Sequence, residues 1–175
     1  MLLNELAPMD PGRVLDIGCG TGVLLARLAA RGWSPVGLDL CEPMVHQART
    51  KLRDRTDSVS LAVGDSEHVP FAEQSFDAVT CANSFHHYPQ QQTVVREMFR
   101  VLKPGGVLLL LDGWPDQFIG RIMYDIIIAH VEPGVWHRES RDMRMLVETA
   151  GFTNVTQKRT YSLFPILMTR GVVPE

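Results

Sequence analysis

The stretch VLDIGCGTG, residues 14–22, decides the fold of this 175-residue chain. An apolar run leads into three glycines at alternate positions, Gly18, Gly20 and Gly22, and the segment that follows places apolar residues at helical spacing. A buried strand that leads through a glycine-rich turn into a helix is typical of nucleotide-binding α/β domains. Glycines let the backbone approach a ligand closely, and the helix N-terminus offers free N–H groups.

Two features separate this turn from the dinucleotide fingerprint. The glycine spacing is GxGxG rather than GxGxxG, and Asp16 stands two residues before the first glycine. A carboxylate at that position repels a pyrophosphate and attracts an ammonium group. The turn therefore favours a nucleotide-type ligand that carries a positive charge.

Strand-like and helix-like runs alternate outward from this turn. We predict strands at residues 13–17, 34–40, 59–63, 76–82 and 107–111, and helices at about residues 23–31, 42–52 and 90–102. This alternation implies a parallel sheet with right-handed crossovers and with helices on both faces.

The last quarter of the chain departs from this alternation. A helix at residues 140–150 precedes two β-like runs, at residues 153–159 and 162–169, which only a tight turn can join. One of these strands must therefore run antiparallel to the rest. We predict a single doubly wound α/β domain over residues 1–175.

Acidic residues recur at three successive predicted strand ends. Asp16, Asp39 and Asp65 should line one crevice, because the carboxyl ends of parallel strands open onto one edge of a sheet. Asp39 suits the two hydroxyls of a ribose, and Asp65 suits an exocyclic amine. A single acid at such a place is more often a cap, but three acids in register with a glycine loop indicate a ligand site.

On these residues the chain resembles the class I S-adenosylmethionine-dependent methyltransferases. VLDIGCGTG is similar to the family's first motif, and VGLDL, GDSEHVPF, SFDAVTCANSFHHY and RVLKPGGVLLL resemble its later motifs in order and spacing. The match is closest to the small-molecule branch (methyltransferase type 11) that includes the ubiquinone/menaquinone C-methyltransferases. The resemblance covers about residues 13–111 well and implies a mostly parallel seven-stranded sheet, of order 3-2-1-4-5-7-6, with the last strand antiparallel.

The resemblance also implies roles for individual residues toward S-adenosylmethionine, whose product is S-adenosylhomocysteine. The glycines would pass under its methionine part, and Cys19 between them would pack as a small side chain. The residues expected at the cofactor are Asp16 at the ammonium, Gly18, Cys19, Gly20 and Gly22 in the loop, Asp39 at the ribose, Leu40 and Met44 against the adenine, Asp65 and Ser66 at the adenine edge, and Asn83 and Ser84 near the methyl group.

The activity that this resemblance implies is in-line methyl transfer to a small molecule. The sequence leaves open whether O, N, C or S is methylated. Two alternatives stay open beside it: a cofactor-binding regulatory module without catalysis, and a nicotinamide-dependent oxidoreductase of the same fold.

Two histidines follow the fourth strand, where a substrate would enter. His86 or His87 is a candidate general base for an acceptor that must lose a proton, since imidazole titrates near neutral pH. The alternative is a polar pocket mouth or a surface turn. His130, His137 and the scattered cysteines lack the paired spacing of a zinc site, and we predict no metal.

Residues 114–138 form the irregular part of the chain. Apolar residues at helical spacing give either a helix that covers the core or a lid over the substrate. For the lid we expect a pocket lined by Trp114, Ile119, Met123 and Trp136.

Net charge, the length of the apolar runs and the cysteines indicate which partners and which compartment to expect. A net charge of −3 favours no nucleic-acid partner, and the apolar runs are too short for a membrane span. Three cysteines without a CxxC pair indicate a reducing, cytoplasmic compartment. Because few residues precede the first strand, we also consider a homodimer or a partner subunit that completes the active site.

Overall fold

The computed structural model describes residues 1–53, 58–116, 118–121, 130, 134–160 and 165–175. Its strands are β1 (Arg13–Ile17), β2 (Ser34–Asp39), β3 (Ser60–Val63), β4 (Phe76–Ala82), β5 (Leu102–Gly113), β6 (Thr153–Thr160) and β7 (Ile166–Val172). Its helices are α1 (Leu2–Leu6), α2 (Val23–Ala29), α3 (Glu42–Leu52), α4 (Gln91–Val101), α5 (Phe118–Arg121) and α6 (Ser140–Thr149), with a 3-10 helix at Phe85–His87 after β4.

The strands form one seven-stranded sheet in the order β3-β2-β1-β4-β5-β7-β6. Strands β1 to β5 pair in parallel, whereas β7 runs antiparallel to both β5 and β6. The predicted α/β fold, the strand order and the antiparallel last strand are therefore confirmed.

Helices cover both faces of this sheet, as the side-chain alternation of β5 requires. Val107 and Leu109 pack on the face that α1 and α2 cover, together with Leu6 and Leu28. The alternate residues Leu108 and Leu110 pack on the opposite face, against α4 and α6. Such double coverage explains why β5 is an uninterrupted apolar run, since both of its faces are buried.

The predicted element bounds hold to within a few residues, with one informative exception. The KPGG segment, residues 103–106, was expected as a turn before the fifth strand, yet it lies inside β5. The pairing with β4 moves from Phe76↔Leu102 to Ala78↔Val107, so the extra residues bulge out of the ladder. Gly105 has a φ of 75°, which suits glycine at the turn of this bulge.

The strand order places a topological switch point between β1 and β4. From β1 the chain proceeds to β2 on one side, and it later returns to β4 on the other side. In open α/β sheets the crevice at the carboxyl ends of two such strands is the ligand site. The VLDIGCGTG turn, which follows β1, therefore lies at this crevice.

Among the described residues, no helix has the length and apolar character needed to cross a bilayer.

Candidate functional site

Two cavities meet at Gly18 on the carboxyl edge of the sheet. The first, which we call the β2-side cavity, measures about 400 Å³ and has Asp39, Leu40, Asp65 and Ser66 in its wall. The second, the β5-side cavity, measures about 340 Å³ and is lined by residues of α1, the start of α2 and the ends of β4 and β5. Both sizes fall in the range of small-molecule sites, ~300–1,000 Å³.

Gly18 must be a glycine for two separate reasons. Its φ is 71°, in the left-handed region that disfavours residues with a Cβ. A Cβ at this position would lie 2.6 Å from the Tyr88 hydroxyl and would also collide with Ser84. The missing side chain therefore lets the turn pack directly against Ser84 and Tyr88.

The Ile17–Gly18 peptide is held from both sides. The Gly18 N–H donates to the Leu38 carbonyl at 2.8 Å, and the Ser84 hydroxyl donates to the Ile17 carbonyl over 3.2 Å. The Tyr88 hydroxyl in turn donates to Ser84 Oγ at 3.1 Å. This chain of hydroxyls ties the glycine turn to the segment after β4.

In the β2-side cavity, Asp39 organises the loop around it. One carboxylate oxygen accepts from the Gly20 N–H at 2.7 Å, and the other accepts from the Cys41 N–H at 2.9 Å. Each oxygen keeps a lone pair for a further donor, so two adjacent hydroxyls of a ligand can also be bound. Leu40 beside it is 72% exposed and offers an apolar surface to the cavity.

Asp65 lies across the same cavity in a more open setting. Its side chain is about half exposed and accepts from the Glu67 N–H at 2.8 Å. His68 is 3.8 Å from its other oxygen. This carboxylate can accept a hydrogen bond from a ligand amine, but water competes for it.

Asp16 faces the β5-side cavity and is the buried acid of the site. It is 3% exposed, and its carboxylate accepts from the Thr80 hydroxyl at 2.7 Å. Burial raises the pKa of Asp16 to about 7, with a smaller contribution in the same direction from the charge of Asp39, against the hydrogen bond from Thr80. A cation placed in this cavity would therefore relieve the cost of ionising Asp16.

The other residues predicted at the site fall into two groups. Cys19 and Asn83 line the β5-side cavity, and Cys19 is packed in an apolar cluster, where burial raises the pKa of its thiol to about 12. Gly20, Gly22 and Met44 line neither cavity. Gly20 instead binds Asp39 through its N–H, Gly22 precedes α2 with a φ of 77°, and Met44 lies 40% exposed in α3.

The structure separates the two histidines that the sequence left equivalent. His87 is exposed and lines the β2-side cavity together with Gly18 and Ser84. His86 is buried and turns away toward β5, where its Nδ1 lies 2.6 Å from the Asp112 carboxylate. Asp112 also accepts from the Gly113 N–H at 2.8 Å.

Sequence reasoning missed Thr80 and Asp112, although signals for both were present. Thr80 stands beside Asp16 in the parallel pairing of β1 with β4. Asp112 closes the apolar run of β5 in the same way that Asp16 and Asp39 close β1 and β2. The strand-end rule that indicated the first three acids therefore applies to a fourth.

The pocket expected for the lid does not form around its two tryptophans. Trp114 is 3% exposed and packs in the main core, because it continues the β5 face that α4 and α6 cover. Trp136 is 50% exposed and lines neither cavity. Met123 and the side chain of Ile119 lie outside the described residues, so the lid stays a prediction.

Comparison with known proteins relates this chain to methyltransferases. The family model of the methyltransferase domain matches residues 15–110. The ubiquinone/menaquinone biosynthesis C-methyltransferase of Yersinia enterocolitica is 31% identical over 170 residues, which are 82% of this chain and 67% of that protein. The demethylmenaquinone methyltransferase of Deinococcus radiodurans is 39% identical over 135 residues, 75% of this chain and 56% of the relative.

A solved structure shares the fold over nearly the whole chain. The magnesium protoporphyrin IX methyltransferase of Synechocystis, crystallised with bound S-adenosylhomocysteine, superposes with a TM-score of 0.80 at 21% identity and covers 98% of this chain and 80% of its own. The chain spans little more than half the length of the demethylmenaquinone methyltransferase that it resembles.

Proposed function

The chain belongs to the methyltransferase domain family, and from this premise we propose that it transfers a methyl group from S-adenosylmethionine to a small-molecule acceptor. The observation that carries the proposal is the pair of cavities that meet at Gly18, each with a carboxylate suited to one end of this cofactor. The adenosine part would occupy the β2-side cavity, and the methionine part would cross Gly18 into the β5-side cavity.

The β2-side cavity fits the adenosine in polarity and shape. Asp39 keeps acceptor capacity for both ribose hydroxyls while it holds the loop amides. Leu40 offers an apolar surface to the adenine, and Asp65 with the Ser66 backbone offers acceptor and donor groups to its edge. These residues would bind and orient the cofactor.

The β5-side cavity fits the charged methionine part. Asp16 is a buried carboxylate beside this cavity, and an ammonium group is the partner that its environment favours. Gly18 lies in the walls of both cavities, where the methionine would cross from one to the other, and Asn83, which follows β4 with a φ of 55°, lines the β5-side cavity.

S-adenosylmethionine supplies a methyl group on a sulfonium, which is already activated for displacement by a nucleophile. The residues of this chain then have three tasks: to bind, to orient, and to exclude water around the reacting atoms. Orientation alone can remove ~7–11 kcal/mol of a barrier in favourable cases. Asn83 and Ser84 after β4 would form the acceptor side, with His87 as the candidate base; the buried His86, expected as an alternative base, lines neither cavity because its ring packs against Asp112.

The proposal includes two further expectations, one about a partner subunit and one about the cellular compartment. Met1 and Val23 are exposed apolar residues in the wall of the β5-side cavity, and they support a second copy or partner subunit that completes the site. Cys19, Cys41 and Cys81 form no disulfide, which supports a reducing, cytoplasmic compartment.

A methyl-transfer screen tests the proposal. The protein is incubated with S-adenosylmethionine carrying a labelled methyl group and with fractionated small-molecule extracts, and Asp39→Ala serves as the matched variant. We expect labelled products that depend on the intact protein and on Asp39. Binding of the cofactor without labelled product from any fraction would favour the regulatory module instead.

A further inference from the structure

Two histidines and an aspartate from three separate segments come together at the end of β5. Potential ligand atoms of His86, Asp112 and His137 all lie within 4.8 Å of one another. His86 belongs to the 3-10 helix after β4, and Asp112 lies near the end of β5. His137 belongs to a third segment, residues 134–138. Within the part of the chain that the structure describes, no other group of three histidine, cysteine or acidic side chains brings its ligand atoms so close together.

Spacing along the chain gives no sign of this cluster, and the sequence therefore predicts no metal. Zinc sites that can be recognised from a sequence contain paired ligands a few residues apart. Here each side chain stands on a different element, and only the fold places the three side by side. The structure thus forms a potential metal site that no local motif indicates.

Asp112 is a buried carboxylate with one oxygen left over. It is 4% exposed, and its contacts with Nδ1 of His86 at 2.6 Å and with the Gly113 N–H at 2.8 Å both involve Oδ1. The other oxygen, Oδ2, accepts no hydrogen bond from the residues that the structure describes, and the only ion-pair partner of Asp112 among them is His86. Because a buried carboxylate is costly unless its charge is compensated, this position favours a cation.

The two imidazoles lie beside this carboxylate in a stack. The ring centroids of His86 and His137 are 4.6 Å apart, and the ring planes differ by 16°. A metal binds in the plane of an imidazole, so one of two nearly parallel rings must turn before both can reach the same ion. His137 is the partly exposed member of the pair, and the torsion that turns a histidine ring has a broad energy minimum. Binding of an ion therefore requires a turn of the His137 ring.

The backbone on either side of His137 is anchored. The Trp136 N–H donates to the His86 carbonyl at 2.7 Å, and the Trp136 carbonyl accepts from Nε2 of Gln91 at 2.9 Å. Arg138 donates from Nε to the side-chain oxygen of the same Gln91. These contacts hold His137 next to His86, so the capture of an ion needs a side-chain movement and no rearrangement of the chain.

We propose that His86, Asp112 and His137 bind a divalent transition-metal ion of the zinc class, with one ring nitrogen from each histidine and a carboxylate oxygen from Asp112. Two imidazoles and one carboxylate form a ligand set that zinc accepts, and three protein ligands leave the fourth position of a tetrahedron to water. This inference goes beyond the proposed methyl transfer and does not depend on it.

The distances require a modest adjustment. Bonds of about 2.0–2.2 Å to zinc place tetrahedral ligand atoms about 3.3 Å apart. The 2.6 Å contact between His86 and Asp112 would open slightly, and His137 would move inward from a separation of up to 4.8 Å. His87 is the other ring beside His86, with centroids 4.2 Å apart, but it lines the β2-side cavity and is not one of the three ligands.

An ion at this place would cross-link three segments of the chain. It would join the 3-10 helix after β4 and the end of β5 to residues 134–138, which already contact the helix through Trp136. Since a metal that binds the folded chain adds its binding free energy to folding, the ion would stabilise this part of the protein. The role that we infer is therefore structural and separate from the transfer of the methyl group.

The first test measures zinc binding by calorimetry on the full chain, prepared without a histidine tag and stripped of metal with a chelator. We expect one equivalent of zinc to bind at pH 8 with a dissociation constant of about 1 µM or less. The affinity should fall at pH 6, because protons compete with the ion for the two imidazoles. Absence of one-to-one binding at pH 8 would overturn the proposal and leave His86 and Asp112 as a simple ion pair.

Variants locate the ion. Loss of an outer-shell partner typically costs 10–100-fold in metal affinity, so loss of a ligand in His137→Ala or Asp112→Asn should cost at least about 100-fold. His46→Ala on α3 and Asp142→Asn on α6 are matched exposed controls and should bind zinc as the parent does. Asp112 is buried, so if Asp112→Asn fails to fold, the partly exposed His137 decides the question. Parent-like zinc affinity in His137→Ala would contradict the site.

Two further measurements separate a metal site from a general effect on the fold. Cobalt, a coloured substitute for zinc, should give the visible absorption of a four-coordinate ion in the parent and not in His137→Ala. Zinc should also slow hydrogen exchange at residues 134–138 of the parent and not of this variant. Identical spectra, or identical exchange, in the parent and His137→Ala would overturn the assignment.

Affinity for S-adenosylhomocysteine keeps this inference distinct from the proposed function. His137→Ala should bind S-adenosylhomocysteine within about twofold of the parent, since His137 lines neither cavity. A parent protein that binds zinc at this site but not S-adenosylhomocysteine would contradict the proposed function and support the metal site. The reverse result, cofactor binding without zinc binding, would contradict the metal site alone.

Discussion

The two cavities that meet at Gly18 use the same kind of residue in opposite ways. In the β2-side cavity, Asp39 and Asp65 are partly exposed and accept hydrogen bonds from backbone amides, Asp39 from Gly20 and Cys41 and Asp65 from Glu67. In the β5-side cavity, Asp16 is buried, accepts from the Thr80 hydroxyl, and has its pKa raised to about 7 by burial. One side therefore offers carboxylates ready to accept hydrogen bonds, and the other offers a carboxyl that ionises most readily beside a cation.

This difference shows that position at a strand end does not determine the role of an acid. Asp16 points to the face that α1 and α2 cover, whereas Asp39 is followed directly by the exposed Leu40. Burial decides whether the charge is already present or must be stabilised by the ligand. The two cavities can therefore be perturbed by separate substitutions, although Gly18 belongs to both and the charge of Asp39 contributes to the raised pKa of Asp16.

Gly18→Ala should disrupt both cavities at once. The added Cβ would collide with Tyr88 and Ser84, and a left-handed φ costs an alanine about 1 kcal/mol or more. We expect S-adenosylhomocysteine affinity to fall more than about 100-fold by calorimetry. Gly105→Ala is the matched control, because its φ is 75° but its Cβ would meet no atom within 4 Å. Equal losses in both variants would mean that backbone strain alone, and not the collision with Ser84 and Tyr88, is responsible.

Asp39→Ala should act mainly on the β2-side cavity. It removes the acceptor for the ribose and also the anchor of the Gly20 and Cys41 amides. Loss of a charged hydrogen-bonding group costs about 1.5–3 kcal/mol, which corresponds to roughly 10–100-fold in affinity. Affinity for adenosine should fall in parallel with that for S-adenosylhomocysteine. Unchanged adenosine affinity would contradict the assignment of this cavity.

Asp16→Asn should affect the β5-side cavity in a pH-dependent way. Since the pKa of Asp16 is about 7 in the folded protein, its carboxyl binds a proton below that pH and must release it beside an ammonium group. The parent protein should therefore lose affinity by up to about tenfold per pH unit below pH 7, and the variant should not. Calorimetry at pH 6 and pH 8 measures this, with adenosine as the ligand that should show no such trend.

The same substitution should raise the stability of the cofactor-free protein. A pKa raised from 3.8 to about 7 means that the folded protein holds a proton which the unfolded chain releases, so stability falls as the pH rises between these values. Asparagine carries no charge, and Asp16→Asn should gain on the order of 1–3 kcal/mol at pH 8 and little at pH 4. Denaturant unfolding at both pH values tests this; a loss of stability at pH 8 would contradict burial as the cause of the shift.

Asp65→Asn should give the smallest effect. Asp65 is half exposed, and an asparagine oxygen can still accept from the Glu67 amide. We expect a loss of about two- to fivefold in S-adenosylhomocysteine affinity, since exposed hydrogen bonds contribute about 0.5–1 kcal/mol. A loss as large as that of Asp39→Ala would show that the two acids of this cavity share the same role.

Much of the fold follows from the sequence because each element carries its own local signal. The limits of β1 and β4 agree with prediction, since each is a mainly apolar run that is followed by a glycine or a polar residue. The bulge at residues 103–106 was harder to predict. The sequence Lys-Pro-Gly-Gly suits a turn that precedes a strand and equally a bulge within one. Only the pairing partner distinguishes the two cases.

The site was less predictable where contacts cross between elements. Asp16 and Asp39 could be assigned to the sheet edge from topology, but not to different cavities, because the direction of a side chain at a strand end depends on the register. The pairing of His86 with Asp112 joins residues 26 positions apart, and nothing in the local sequence of either residue points to the other. Trp114 was expected at a pocket, yet it continues the alternation of β5 into the core.

Calorimetric titration with S-adenosylhomocysteine, with adenosine and NADH as comparison ligands, tests the central claim most directly. If one cofactor spans both cavities across Gly18, S-adenosylhomocysteine should bind at least about tenfold more tightly than adenosine, and this advantage should shrink below pH 7 and vanish in Asp16→Asn. Tight binding of NADH without binding of S-adenosylhomocysteine would contradict the account, as would equal affinities for S-adenosylhomocysteine and adenosine.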